Sequence, residues 1–477
     1  MILYEYRKGE YEFRGEKMKN RQVCLTEGPI LRSLVALAVP IMASSFLNTV
    51  YSITDMAWIG LLGSKAVAGV GVGGMYVWLS QGLSSLARMG GQVNVAQSFG
   101  RGRKDEAGEY ARAALQMTLV FGVVFAAVSV GFTEGLVSLF HLGDAETVRY
   151  AEEYMRITCG LVIFSYMTVV LTGIYTAQGD SKTPLLANFI GLIMNMILDP
   201  LLILGIGPFP RLEVVGAAAA TVTAQFIVML VMIVGIWRGR GTENILAGMR
   251  LCRLSEPKFY RGVFRIGLPT AIQGTVYCGI SMVLTRMVAV FGPGAVAVQR
   301  VGGQVEAVSW NTADGFAAAL NAFAAQNYGA GQMERVRKGY RISLWTIVIW
   351  GSLITLAFVL FPEPISSIFF HEAEVIGISV NYFIIVGISE AFMCVELMTV
   401  GALSGLGRTK LCSMISILLT GFRVPLAVVL SMTPLALNGI WWAITLSSVA
   451  KGILFVGAFR RVTARPHAAD QRNEQCN

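Results

Sequence analysis

The chain repeats itself at one fixed spacing. Gly63 with Ala66-Val67-Ala68 returns as Gly292 with Ala295-Val296-Ala297, and Gln97-Ser98-Phe99-Gly100-Arg101-Gly102 returns as Gln326-Asn327-Tyr328-Gly329-Ala330-Gly331. Both pairings lie 229 residues apart, so the two halves, beginning near Pro40 and Pro269, are copies of one unit. Duplicated apolar units are how many secondary transporters are built, with substrate and ion sites near the membrane midplane.

The residues between these landmarks exclude a water-facing exterior. Of 477 residues 55% are hydrophobic and only 14% charged, with mean hydropathy +0.61, so lipid is the expected solvent. Spans of about twenty apolar residues are predicted near 30–60, 66–86, 108–132, 150–177, 184–206, 214–237, 260–290, 295–322, 340–361, 376–404, 410–432 and 437–459. The expected fold is an all-α integral membrane protein of about twelve transmembrane helices, in two six-helix lobes around a central cavity.

A net charge of +9 raises nucleic acid as a partner, and the placement of the cations argues against it. They cluster at Arg7 to Arg21, Arg101 to Lys104, Lys182, Arg238 to Arg265, Arg335 to Lys338, Arg408 to Lys410 and Arg460-Arg461, all on one predicted face. The positive-inside rule makes that face cytoplasmic, with both termini inside and the protein multi-pass in the cell (inner) membrane. The domain reading is a cytoplasmic segment 1–27, an N-lobe 28–240, a cytoplasmic linker 241–258, a C-lobe 259–461 and a cytoplasmic tail 462–477. The first segment lacks the apolar core of a secretory signal, translation is suspected to begin at Met18, and the polar tail is expected to be disordered.

Seven scattered cysteines without a CxxC pair and three histidines predict free thiols, no disulfide and no metal centre. No HExxH, GxxxxGK[ST] or GxSxG motif occurs. An enzyme is therefore not expected, except one that works with Asp and Glu alone, and no cofactor is expected.

Ionisable groups at membrane depth are the remaining functional candidates, because each costs a few kcal/mol unless paired or wetted. Asp55 lies late in the first span. Asn195 and Asp199 are four residues apart and share a helical face, offering an amide oxygen and a carboxylate to a cation or proton. Pro200 and Pro40 free the carbonyls of Met196 and Ala36, which lets a helix bend or line a cavity. In the second half Glu306 and Asp314 fall in the eighth span and Glu390 and Glu396 in the tenth. Glu306 and Asp314 are eight residues apart and about 80° off a common face. Structural pairing with Arg286, Arg300 or Arg423, contact with a cationic substrate, and a second ion site all remain open for these acids. Aromatic residues such as Tyr51, Trp58, Trp78, Tyr166, Tyr277 and Trp310 suit either an adaptable cavity or ordinary packing.

Taken together, Pro40 to Asp55, Gln178-Gly179-Asp180-Ser181-Lys182-Thr183-Pro184, Asn195-x-x-x-Asp199-Pro200, Gly216-Ala-Ala-x-Ala-Thr221 and Gln326-Asn327-x-Gly329-Ala-Gly331 resemble the multidrug and toxic compound extrusion family, over nearly the whole chain. The acid placement resembles its DinF-like branch. That resemblance implies an ion-coupling site of Asp55, Asn195, Asp199 and Thr221, with the two aspartates taking the proton or Na+. Other branches use a glutamate in the seventh span, whereas here Gln273 to Tyr277 offers none, and the repeat partner of Asp55 is Leu284. Gln273 and Tyr277 join Glu306, Asp314, Glu390 and Glu396 as candidates for substrate or second-ion contact.

The implied function is cation-coupled antiport, exporting drugs or organic cations by alternating access between two rocking bundles, in a monomer held by the lipid bilayer. H+ and Na+ both remain open as coupling ion, since carboxylate, amide and hydroxyl oxygens serve either. A flippase for a lipid-linked sugar, within the same superfamily, is the alternative transport reading.

Overall fold

A computed structural model describes residues 23–464 except 141, 143, 207–209, 239–244, 246–250 and 252. Met18 and the segment before it, most of the linker with Cys252, the tail with His467 and Cys476, and His141 lie outside the described residues. Among the described residues there are seventeen helices and no strand. The first lobe comprises α1 (Ile30–Gly60), α2 (Ser64–Gly100), α3 (Lys104–Gly131), α4 (Thr133–Ser138), α5 (Ala145–Gly160), α6 (Ile163–Ala177), α7 (Lys182–Ile203) and α8 (Glu213–Arg238). The second comprises α9 (Pro257–Ala289), α10 (Pro293–Gly329), α11 (Met333–Leu360), α12 (Pro362–Phe369), α13 (Ala373–Gly387), α14 (Glu390–Gly405), α15 (Thr409–Gly421), α16 (Arg423–Ser431) and α17 (Leu437–Ala464).

Eight spans are long and apolar enough to cross a membrane, α15 and α16 counting as one, and the bent pairs α5/α6 and α13/α14 bring the number to ten. The helices of 37 residues, α2 and α10, complete twelve. At 1.5 Å per residue each is about 55 Å long. Both lie at the seam between the lobes, each in contact with helices of the other lobe.

The duplication is visible element by element. The bends in α5/α6 and α13/α14 are 46° and 47°. Gly63 and Gly292, which precede α2 and α10, have φ of 105° and 102°, and Gly102 and Gly331, just after those helices, have 76° and 75°. Only glycine takes such angles without a Cβ penalty, which explains why these landmarks recur.

Each lobe also builds the start of the other's first helix into its core. Leu34, Leu37 and Ala38 of α1 pack with Leu320, Phe323 and Met398 of the second lobe. Phe259 and Val263 of α9 pack with Ala114, Leu171 and Ile174 of the first. Farther along, Ile59 returns to its own lobe beside Ile203 and Val214, and Leu284 to its own beside Ala427 and Ile440. Pro40 and Pro269 sit within these helices, between the two environments, where a missing N–H lets the helix bend.

At the end carrying the basic residues the lobes are tied by mirrored contacts. Gln97 Nε2 donates to the Gly405 carbonyl (2.9 Å) and Gln326 Nε2 to the Ala177 carbonyl (2.6 Å). Gln92 Nε2 donates to Asn321 Oδ1 at 3.0 Å, and these two residues are 229 apart, so the bond lies on the pseudo-twofold axis. At the opposite end the repeat mates Gly74 and Gly303 have open space beside them, and Trp78 and Trp310 are exposed. The cleft between the lobes is closed at the basic end.

Candidate functional site

In the first lobe three helices converge on one buried pocket. Tyr51 and Asp55 lie one turn apart on α1, as do Asn195 and Asp199 on α7, so each pair faces one way. Asp55, Asn195 and Asp199 are buried at 8%, 0% and 0% exposure. Asn195 Nδ2 donates to Asp199 Oδ1 at 3.0 Å. Asp55 and Asp199 are within electrostatic reach of each other, and Tyr51 is within reach of both. Thr221 of α8 lies beside Tyr51 and beside Tyr154 of α5. All four residues expected to form the ion site are therefore brought together.

The pocket leaves oxygens unpaired. Asp55 Oδ1, Asp199 Oδ2, Asn195 Oδ1, Thr221 Oγ1 and the Tyr51 hydroxyl are all buried with no hydrogen-bond partner. Tyr51 and Thr221 sit side by side without the geometry of a hydrogen bond. Unsatisfied buried polar atoms are rare in folded proteins, and five such oxygens gathered in one pocket are free to act as ligands for another species. An all-oxygen set containing two carboxylates suits a proton or a hard monovalent cation, and a second negative charge at this depth is expensive unless such a cation accompanies it. Tyr154 was not foreseen, because no sequence spacing links it to the aspartates. Tyr51 was foreseen only as an aromatic, although its position four residues before Asp55 carried the signal.

The second-lobe candidates separate into three places. Glu306 of α10 accepts a hydrogen bond from the Tyr382 hydroxyl of α13 at 2.5 Å, with Arg423, Glu390 and Tyr277 within electrostatic reach of this pair. Glu390 is buried with both carboxylate oxygens unpaired. Arg423 is held by the Ser447 and Ser448 hydroxyls, each at 2.9 Å. Glu396 is elsewhere, in a buried ion pair with Lys451 of α17 at 2.8 Å, a partner that spacing along the chain could not reveal. Asp314 is exposed to the cleft and faces Arg88 of the other lobe. Gln273 is half-buried on α9, one turn before the exposed Tyr277. Arg286 and Arg300 form no ion pair among the described residues, and of the three arginines considered as partners Arg423 is within electrostatic reach of Glu306.

Comparison with known proteins agrees with this architecture. The MatE family model matches residues 40–201 and 269–429, one match per repeat. The chain is 29% identical over 421 residues to a probable multidrug resistance protein NorM of Thermotoga maritima, covering 86% of this chain and 88% of that one. It is 27% identical over 360 residues to an FAD transporter of Shewanella oneidensis, covering 75% and 78%. Its fold superposes on an outward-facing multidrug resistance MATE transporter of the MOP superfamily with a TM-score of 0.84 at 22% identity, covering 93% and 98%. The chain belongs to the MatE family, the multidrug and toxic compound extrusion transporters, and is an integral membrane transporter rather than an enzyme.

Proposed function

We propose that this protein exports organic small molecules, cationic or amphipathic, in exchange for inward-moving H+ or Na+, and that the first-lobe pocket is where the coupling ion binds. The observation that carries this reading is the set of five unpaired buried oxygens around Asp55 and Asp199. In its second-lobe counterpart Leu284 fills an apolar cluster instead, so coupling belongs to one lobe, in the manner of the DinF-like branch. The basic end is taken as cytoplasmic in the plasma membrane, with both termini inside and one chain as the working unit.

Cation entry neutralises the pocket and biases the cleft toward release of cargo, since linkage needs only that ion and cargo favour different states. One inward charge across 100 mV supplies about 2.3 kcal/mol and one pH unit about 1.4 kcal/mol. Together these support a gradient of a few hundred-fold for a neutral solute. A relative bears the name FAD transporter, but an exposed carboxylate in the cleft, Asp314, favours cationic cargo.

The test is uptake of a fluorescent organic cation by inverted vesicles under an imposed proton gradient and then a sodium gradient. Uptake driven by one gradient and lost in Asp55→Asn and Asp199→Asn supports the proposal and names the ion. Full uptake in both variants would move coupling to Glu306 and Glu390, and no uptake with any drug would favour the flippase.

A further inference from the structure

The two helices that meet on the pseudo-twofold axis carry opposite charges just above their point of contact. Arg88 lies four residues before Gln92 on α2, and Asp314 seven residues before Asn321 on α10. Steps of four and seven return to the same helical face. Both charges therefore project into the cleft above the Gln92–Asn321 bond, about 6 and 10 Å up the helices. Gly173 of α6, in the same lobe, lies against both the Arg88 stem and Gln92 Oε1, which places these two side chains on one face of α2. Asp314 is exposed to the cleft, and its electrostatic partner is Arg88. The two do not touch: no ion pair of 4 Å or less joins them.

The repeat makes this arrangement informative. The mates of Arg88 and Asp314 at the 229-residue offset are Ala317 and Ser85, so neither charge is inherited from the duplicated unit. Had both copies kept the same charge, the axis would face like against like. Here an arginine in one lobe faces an aspartate in the other across the surface that must part and close during alternating access.

We propose that Asp314 is the carboxylate that holds the cationic group of the cargo, and that Arg88 is a built-in competitor that approaches it as the basic end closes. The inference rests on the alternating-access reading above and assigns it a recognition residue. With the basic end open, Arg88 moves away with its lobe and Asp314 is free to take an organic cation. With that end closed, as in this structure, the guanidinium returns to electrostatic range and lowers the cation affinity of Asp314 while the cleft faces the other way. Cargo is thus expelled by a charge on the protein itself, separately from the ion bound near Asp55. A fixed unit charge at short range in a partly desolvated cleft changes cation affinity by roughly tenfold or more.

The test is equilibrium binding of ethidium, a permanent cation, and N-phenyl-1-naphthylamine, a neutral fluorophore, to the full-length protein in nanodiscs with no gradient. Asp314→Asn is expected to weaken ethidium by at least roughly tenfold and Arg88→Gln to tighten it by about tenfold, with the neutral probe unmoved by either. The double variant should bind ethidium as Asp314→Asn does, because Arg88 has nothing left to compete for. Ethidium affinity unchanged in Asp314→Asn, or unchanged or weakened in Arg88→Gln, would overturn the proposal. Equal shifts of both probes would also overturn it, by reducing the pair to a structural gate. Should Asp314→Asn fail to fold, Arg88→Gln and Asp314→Glu decide, the latter keeping ethidium affinity near that of the wild type. Because no gradient is applied, failure of ion-driven uptake would sink the antiport reading and leave this result standing.

Discussion

Replacing Gly100 or Gly329 with alanine should open the basic end of the cleft. A Cβ on Gly100 would stand 2.0 Å from the Gln326 carbonyl oxygen, and one on Gly329 would stand 2.1 Å from that of Gln97. Real Cβ contacts are essentially never below 3.0 Å, so the facing backbone must retreat by about 1 Å. The obstacle is a carbonyl in a long helix rather than a flexible side-chain tip, and overpacking of this kind costs about 1–3 kcal/mol. The contact crosses between the lobes and exists only while the basic end is closed. The penalty therefore falls on that state and shifts the balance of closed and open forms by roughly 5- to 150-fold.

A reporter is available at Met89, whose sulfur lies 3.9 Å from Asn321 Nδ2 at the axis. With Cys24, Cys252 and Cys476 replaced by serine, labelling of Met89→Cys by a membrane-impermeant maleimide from the basic side should accelerate in both alanine variants, by similar factors because the contacts are repeat mates. Gly457→Ala is the control. Gly457 is a helical glycine with open space beside it, where alanine adds helix propensity and should leave labelling unchanged. Unaltered labelling in both Gly100→Ala and Gly329→Ala would refute the idea that these crossings close the gate.

Two further outcomes are expected. Glu396→Gln strands the Lys451 ammonium in the second-lobe interior and should lower stability by about 3–5 kcal/mol, read as thermal unfolding in detergent, whereas an unfolding temperature equal to wild type would show that the pair is not structural. Asp144, at the mouth of α5, accepts from Thr147 N at 3.1 Å and Thr147 Oγ1 at 3.0 Å and faces Lys65 at 3.3 Å; these contacts, the Thr147 bonds first, hold its carboxyl below the usual carboxylate range. Its folded pKa is depressed, so its contribution is present above the unfolded value of about 3.9 and disappears as pH falls through the folded value. Asp144→Ala should accordingly lower the unfolding temperature clearly at pH 7 and much less near pH 3, while Asp144→Asn keeps the helix cap with little pH dependence; equal losses at both pH values for the alanine variant would refute this.

What was legible in the sequence follows from which interactions are periodic. The 229-residue offset foretold the lobes, because duplicated turns need the same glycines, and the four-residue spacing of Asn195 and Asp199 foretold one face of the pocket. Predicted spans for α2 and α10 were too short at the basic end: they ended near residues 86 and 322, whereas the helices run to Gly100 and Gly329. Those last turns carry polar residues that a lipid-facing span would not, and Gln92, Gln97 and Gln326 are accommodated there because they find partners in protein rather than lipid. Lys451 opposite Glu396, Tyr154 in the first-lobe pocket and Arg88 facing Asp314 join residues on distant helices, and no local pattern reports such pairs.

The duplication and the charges have separate consequences for mechanism. Two copies of one unit meeting on a pseudo-twofold axis supply each end of the cleft with paired contacts, one from each lobe, and Gln97, Gln326, Gly100 and Gly329 show that pairing at the basic end. That symmetry maps lobe onto lobe and not one end of the cleft onto the other, and antiport needs only that ion and cargo favour different states. Separate places for ion and cargo come from the departures: Asp55 where the other lobe has a buried Leu284, Glu306 where the first lobe has Val77, and Arg88 and Asp314 where the mates are Ala317 and Ser85. Removing such a departure should uncouple the transporter while leaving the rocking frame intact. Asp55→Leu, which restores symmetry at the ion pocket, should thus fold, retain labelling at Met89→Cys from the basic side and lose gradient-driven uptake. Loss of that labelling together with uptake would show instead that the ion pocket is part of the frame.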